Sequence, residues 1–271
     1  EVTTGVGWNQ LSIRGHRRDD AATAYLSGLD RPGVDLLAGT PVLGLAIDPQ
    51  LIRENCRAIC RKAAESGTFV RIDMEDSPFT ESTLRLALEL KEEFPNVGVV
   101  VQAYMRRTLT DMDRLVAARM NVRICKGIYV EPREIAWKGR QVVVENYAAI
   151  VEKHLSAGCY AGIATHDEAC VQKALATIDR LKLGPDRYEF QMLLGVDPLL
   201  RKILLKAGHR LRVYVPYGRD WYAYSLRRLK ENPSIAGHVV RSILGIGPVQ
   251  GRSQHFSSKG EFHHAHAAAL P

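Results

Sequence analysis

The densest chemistry in this sequence lies between Tyr214 and Asn232. There Tyr224, Arg227, Arg228 and Glu231 fall at i, i+3, i+4 and i+7, so a helix would carry an aromatic ring, two guanidinium forks and a carboxylate on one face. Paired arginines recognise a planar anion bidentately, and a neighbouring tyrosine can wall off an apolar ring. Taken alone, the same pattern also describes an exposed helix with an internal ion pair. A second group is spread along the chain: Asp73, Gln102, Lys126, Thr165 with His166, and Gln191 each close a short apolar run. Any one of them is an ordinary strand-ending polar residue, whereas five in register mark a site.

The elements that must position these residues alternate in period. Asp48-Pro49 is a helix start, cap then proline, and Leu51, Ile52, Cys56, Ile59, Cys60 and Ala63 recur at helical spacing. Strands are predicted at residues 68–73, 98–102, 122–126, 160–165, 188–191 and 210–215. Helices are predicted near 81–94, 111–119, 142–155, 168–181, 198–207 and 221–231. Six strands, each followed by a helix, argue a parallel α/β fold. A doubly wound sheet and an eight-stranded barrel both satisfy such a repeat. No G-x-G-x-x-G fingerprint follows any strand, and the polar residues gather at the carboxyl ends of successive strands, where barrel enzymes keep their chemistry.

The front of the chain does not repeat the unit. Residues 34–37 and 42–46 have strand character but are separated by far fewer residues than the dozen or so a parallel crossover requires. Beyond Gly245 the chain turns to Gly, Ser, His and Ala and reads as a disordered tail. The run Phe262-His263-His264-Ala265-His266 has no carboxylate or cysteine to complete a ligand set, so no metal is assigned.

The 271 residues are 46% hydrophobic and 25% charged, the range of a globular protein with a full core. No run reaches the roughly 18 to 20 apolar residues that a membrane-spanning helix needs. The chain begins at Glu1 and shows no secretory pattern, and its five cysteines lack C-x-x-C pairing, which together read as reduced thiols in a cytoplasmic protein. The net charge of +7 suits an anionic ligand, nucleic acid or an acidic membrane alike. Arg14, His16, Arg17 and Arg18 are answered at once by Asp19 and Asp20 without aromatic interleaving, which favours a solvated face and no nucleic-acid partner.

Several blocks taken in order, Phe69 to Ser77, Gln102-Ala103-Tyr104, Arg123 to Glu131, Thr165-His166-Asp167 and Tyr214 to Asn232, closely resemble the proline dehydrogenase family. The resemblance covers residues 43–245, leaving 1–42 as an atypical N-terminal segment and 246–271 as the tail. It implies a distorted (βα)8 barrel, TIM-like and incomplete at its N-terminus, that holds FAD and oxidises L-proline to Δ1-pyrroline-5-carboxylate in proline catabolism. Electrons would pass to a quinone or other acceptor, with peripheral contact at the inner face of the membrane. Carried over by resemblance, Asp73 and Arg123 are the catalytic polar groups, and Met74, Gln102, Lys126, Gly127, Ile128, Thr165 and His166 line the flavin. Arg227 and Arg228 would hold the proline carboxylate, steadied by Glu231, while Tyr214, Tyr224 and Tyr129 close around the ring. Lys126 and His166 suit cofactor phosphate charge, and Gly127 suits close backbone approach.

Two departures bear on activity. The family's early strand carries a lysine close to substrate, but here Gly39-Thr40-Pro41-Val42 stands in that place ahead of Leu43-Gly44-Leu45, and residues 32–50 contain no Lys. Ile128 stands where the family usually has alanine. Residues 1–38 are also too few and too irregular to supply a first strand and helix, so the expectation is a chain altered at both ends with weakened or absent turnover. The alternatives are a catalytically impaired amino-acid or flavin-binding protein, which the missing lysine favours, and another FAD barrel such as methylenetetrahydrofolate reductase, which the double arginine disfavours.

Overall fold

The structure is a computed structural model that describes residues 13–14, 17–18, 49–194 and 196–214. Ile13–Arg14 pairs antiparallel with Arg17–Arg18. The expectations for residues 34–46, for the helix near 221–231 and for the tail lie outside the described residues.

From Pro49 onward the chain runs α1 (Pro49–Glu65), β1 (Val70–Ile72), α2 (Ser77–Glu93), β2 (Val97–Gln102), α3 (Thr108–Ala117) and β3 (Asn121–Cys125). It continues with α4 (Arg140–Ser156), β4 (Ala161–Ala164), α5 (Glu168–Arg180), β5 (Tyr188–Leu193), α6 (Pro198–Lys206) and β6 (Leu211–Tyr214). The six strands form one parallel sheet in consecutive order. That order decides the architecture. Right-handed crossovers between strands that always step the same way put every helix on one face, and the sheet then curls to close its other face inward. A doubly wound sheet would reverse its strand order at a switch point, and none is present among these strands.

The two faces differ as that geometry demands. Val99, Val122, Ile124, Ala161, Ile163 and Phe190 are fully buried in the main core with Leu84, Met112, Leu115, Ile150 and Ala174 from the helices. A second cluster joins α1, through Ile52, Cys56, Cys60 and Ala63, to Leu86, Leu90 and Val97. The opposite face, read from the register, carries Arg71, Gly98 and Asn121 in one row and Arg123, Gly162 and Glu189 in the next. Large polar side chains therefore alternate with glycine. A Cβ on Gly98 would lie 2.9 Å from Arg71 Nη1 and 2.4 Å from Asn121 O, so only glycine leaves room for the buried Arg71.

No helix among the described residues is long and apolar enough to cross a membrane.

Candidate functional site

The strand ends bring the second group of residues to one rim. Asp73 follows β1, Gln102 ends β2, Lys126 follows β3, Thr165 and His166 follow β4, Gln191 lies near the end of β5 and Tyr214 ends β6. In a parallel barrel these all face the carboxyl-terminal side.

Arg123 is the hub. Its Nε donates to Gln191 Oε1 at 2.6 Å, and its Nη1 lies 3.8 Å from Asp73 Oδ1. Gln191 in turn donates from Nε2 to Glu189 Oε1, which also accepts from Arg212 Nε at 2.7 Å. A continuous polar chain thus runs Asp73, Arg123, Gln191, Glu189, Arg212 across β1, β3, β5 and β6. Burial pushes the Glu189 carboxyl up, but the Arg212 hydrogen bond and charge, with the Gln191 amide, more than offset this and hold it below its usual range. Arg71, almost fully buried, donates to Val99 O, Asn121 O and Asn121 Oδ1, and stacks on Phe69. Desolvation, then repulsion from Arg123, lowers its guanidinium to about 9, so it stays charged at neutral pH. Three guanidinium groups and two carboxylates leave the barrel interior cationic among the described residues.

The second cluster sits on the rim. Asp167 caps α5 by accepting from Ala169 N, and it pairs with Lys126 Nζ at 2.8 Å and Arg140 Nη2 at 2.7 Å. Thr165 Oγ1 accepts the Asp167 N–H at 3.0 Å, which makes Thr165 a holder of this turn. His166 Nε2 accepts the Leu193 N–H at 2.8 Å, an arrangement for a neutral imidazole.

The loop after β3 is fastened from several sides. Tyr129 donates to Glu75, the buried Glu131 accepts the Ser77 N–H at 2.7 Å at the start of α2, and Trp137 N donates to Tyr104 O at 2.7 Å. Gly127 has φ +110°, and a Cβ there would lie 2.1 Å from the Tyr104 ring. Independently of the close cofactor approach expected from the sequence, the aromatic ring lying against it requires glycine here.

Other predicted residues land less centrally. Met74 packs its side chain into the main core, and its N–H donates to Asp73 Oδ1 at 3.3 Å. Gln102 turns its amide Nε2 to Glu75 O at 2.9 Å. Ile128 is partly exposed at the mouth. Tyr224, Arg227, Arg228 and Glu231 lie outside the described residues, as does the position of the missing lysine. Gln191 stood out in the sequence without a role, Asp167 only as the end of the Thr165-His166-Asp167 block, and Glu189, Arg212 and Arg140 did not stand out at all. Only contacts across strands reveal them.

The donor set suits a dinucleotide flavin. Convergent amide and guanidinium groups line the inside of the rim, and cations with helix N-termini stand at its edge for a phosphate. No group of three or more His, Cys, Asp or Glu side chains among the described residues is placed to hold a metal ion.

Consecutive parallel strands, curled with their polar residues gathered at the carboxyl-terminal rim, define a TIM-like α/β half-barrel. The chain belongs to the proline dehydrogenase family: the family model described as proline dehydrogenase matches residues 10–241. It is 43% identical to proline dehydrogenase of Deinococcus radiodurans over 192 residues, 70% of this chain and 62% of the relative. It is 35% identical to proline dehydrogenase 1 of Bacillus subtilis strain 168 over 202 residues, 74% of this chain and 67% of that one. The chain therefore spans about two thirds of the length of these relatives. In fold it is similar to proline utilization A from Bdellovibrio bacteriovorus, inactivated by N-propargylglycine, with TM-score 0.68 and 24% identity over 74% of this chain and 24% of that one. Proline utilization A from Corynebacterium freiburgense gives TM-score 0.67 at 18% identity over 90% of this chain and 30% of that one. The folate-reductase alternative gives way to the proline dehydrogenase family.

Proposed function

We propose that this chain is the flavin-dependent barrel that oxidises L-proline to Δ1-pyrroline-5-carboxylate. The observation that carries the proposal is the Asp73–Arg123–Gln191 chain at the carboxyl-terminal rim of a proline dehydrogenase family barrel. FAD, when bound, supplies the acceptor for the hydride from the ring carbon next to the proline nitrogen, and a quinone-type or other acceptor takes the electrons onward. The protein's part is to bind, orient and exclude water.

Asp73 and Arg123 would stand beside the reacting ring and the flavin, with Arg123 fixed by Gln191 so that its charge does not wander. Lys126 at the outer rim meets phosphate charge. Tyr129, anchored on Glu75, closes over the substrate together with Tyr214 and Tyr224. Arg227 and Arg228 hold the carboxylate, and Glu231 steadies them. A protein of net charge +7 visiting an anionic membrane surface from the cytoplasmic side is consistent with a lipid-soluble acceptor.

The test is the visible absorption spectrum of purified protein before and after L-proline under anaerobic conditions. Flavin bands that bleach with proline support the reading. Bound flavin that stays oxidised, or protein that takes up no FAD, overturns it.

A further inference from the structure

Asp167 is a buried carboxylate with more cation around it than it needs. Its side chain is 6% exposed, yet it holds both Lys126 and Arg140, at 2.8 and 2.7 Å, as well as the Ala169 N–H at 3.1 Å. With its oxygens so engaged it is not available as a base. The two cations are the accessible partners: Lys126 is 37% exposed and Arg140 71%. The Nε and Nη1 groups of Arg140 meet no acceptor among the described residues.

Arg140 is also in an unfavourable place for a helix. It is the first residue of α4, whose cap Gly139 offers no side chain and whose first turn holds no acid. A positive charge there opposes the helix dipole. Since Arg140 reaches the residue that caps α5, the two helices begin side by side, at the carboxyl-terminal rim. Two helix N-termini, a lysine and an arginine converge on the buried Asp167 side chain, while the exposed Glu168 follows it in the first turn of α5. Lys126 alone would neutralise Asp167, so the second cation exceeds what that carboxylate requires. The nearby His166 takes a backbone N–H on Nε2 and contributes no charge in that state. Functional sites are among the places where local rules are expected to be broken.

We propose that Arg140 is a second phosphate-binding cation beside Lys126, and that Asp167 is the positioning residue holding both for the diphosphate of a dinucleotide cofactor. This rests on the flavin reading of the rim. Two N–H-rich groups bracketing one fixed carboxylate present their remaining donors outward with little freedom to lose on binding.

The test is FAD affinity, by flavin fluorescence quenching on apoprotein of the full chain, for wild type, Arg140→Ala, Arg140→Lys and Asp167→Asn across a range of salt concentrations. Arg140→Ala is expected to bind FAD roughly tenfold more weakly, with Arg140→Lys recovering part of the loss and the gap to wild type narrowing as salt rises. Asp167→Asn is expected to weaken FAD at least as much. The apoprotein of Arg140→Ala should melt where wild type does. Unchanged FAD affinity in Arg140→Ala, or a loss matched by a lower melting temperature of the apoprotein, overturns the proposal while leaving the flavin reading intact. Wild-type protein that binds no FAD overturns both.

Discussion

Arg123 and Gln191 meet across an intervening strand: they sit on β3 and β5, and their 2.6 Å hydrogen bond passes over Gly162 of β4. A Cβ on Gly162 would lie 2.7 Å from Gln191 Nε2. Gln191 is buried and bonded at both ends, so it cannot step aside without leaving polar groups unpaired. Gly162→Ala is expected to destabilise the protein by about 2 kcal/mol, and Gly162→Val by more. Urea unfolding measures this, and FAD binding should weaken in parallel.

Glu189 is the carboxylate that the interior cations share, with Arg212 Nε at 2.7 Å and Nη2 at 3.1 Å. Removing it leaves buried guanidinium groups uncompensated. Glu189→Ala is expected to cost about 3 to 5 kcal/mol, and the double variant with Arg212→Met considerably less than the sum of the two singles. A double-mutant cycle by chemical denaturation reads the coupling, and near-additivity would show that the pair is not a unit.

His154 on α4 is fully buried and donates from Nε2 to Tyr160 O at 3.1 Å. Burial pushes its imidazolium down to about 4 from an ordinary 6.5. The unfolded chain therefore binds this proton more tightly than the folded one. Its contribution is fully present above pH 6.5 and is lost progressively as pH falls toward 4, about 3 kcal/mol in all. His154→Gln should flatten the dependence of unfolding free energy on pH between 4.5 and 6.5, a window above most carboxylate titration.

Glu131 supplies from the β3–α4 loop the cap that α2 lacks locally, since Asp76 makes no side-chain cap bond. Glu131→Ala is expected to cost about 1 to 2 kcal/mol by freeing the first turn of α2. The same loop carries Tyr129, so the KM for proline should rise more than kcat falls. Equal stability and unchanged KM would show that the loop is held without this latch.

Burial raises four thiols: Cys60 to about 12, Cys125 and Cys170 to about 11, and Cys159 above its ordinary value. Thiolate is the reactive form, so folded protein at pH 8 should alkylate slowly at all four and rapidly only after unfolding. Mass spectrometry after timed alkylation checks each site.

The sequence by itself determined the repeat. Val99, Ile124 and Ile163 lie in strands because β-branched runs recur between helical stretches, and Asp73, Gln102 and Lys126 reach one rim because each ends such a run. Boundaries set by local chemistry came close: the predicted helix at 198–207 is Pro198–Lys206. Where distant residues decide, the sequence was silent. Helix α2 begins at Ser77, ahead of the predicted residue 81, because part of its cap comes from Glu131, 54 positions further on. Arg140 reads as an ordinary helix residue until Asp167 is brought beside it, and Glu189 as a strand polar residue until Arg212 and Gln191 close on it. Periodicity reports which face of an element is apolar. It cannot report which charged groups the sheet register sets opposite one another, and in a barrel interior of low dielectric those pairings decide what each charge costs and what it can bind.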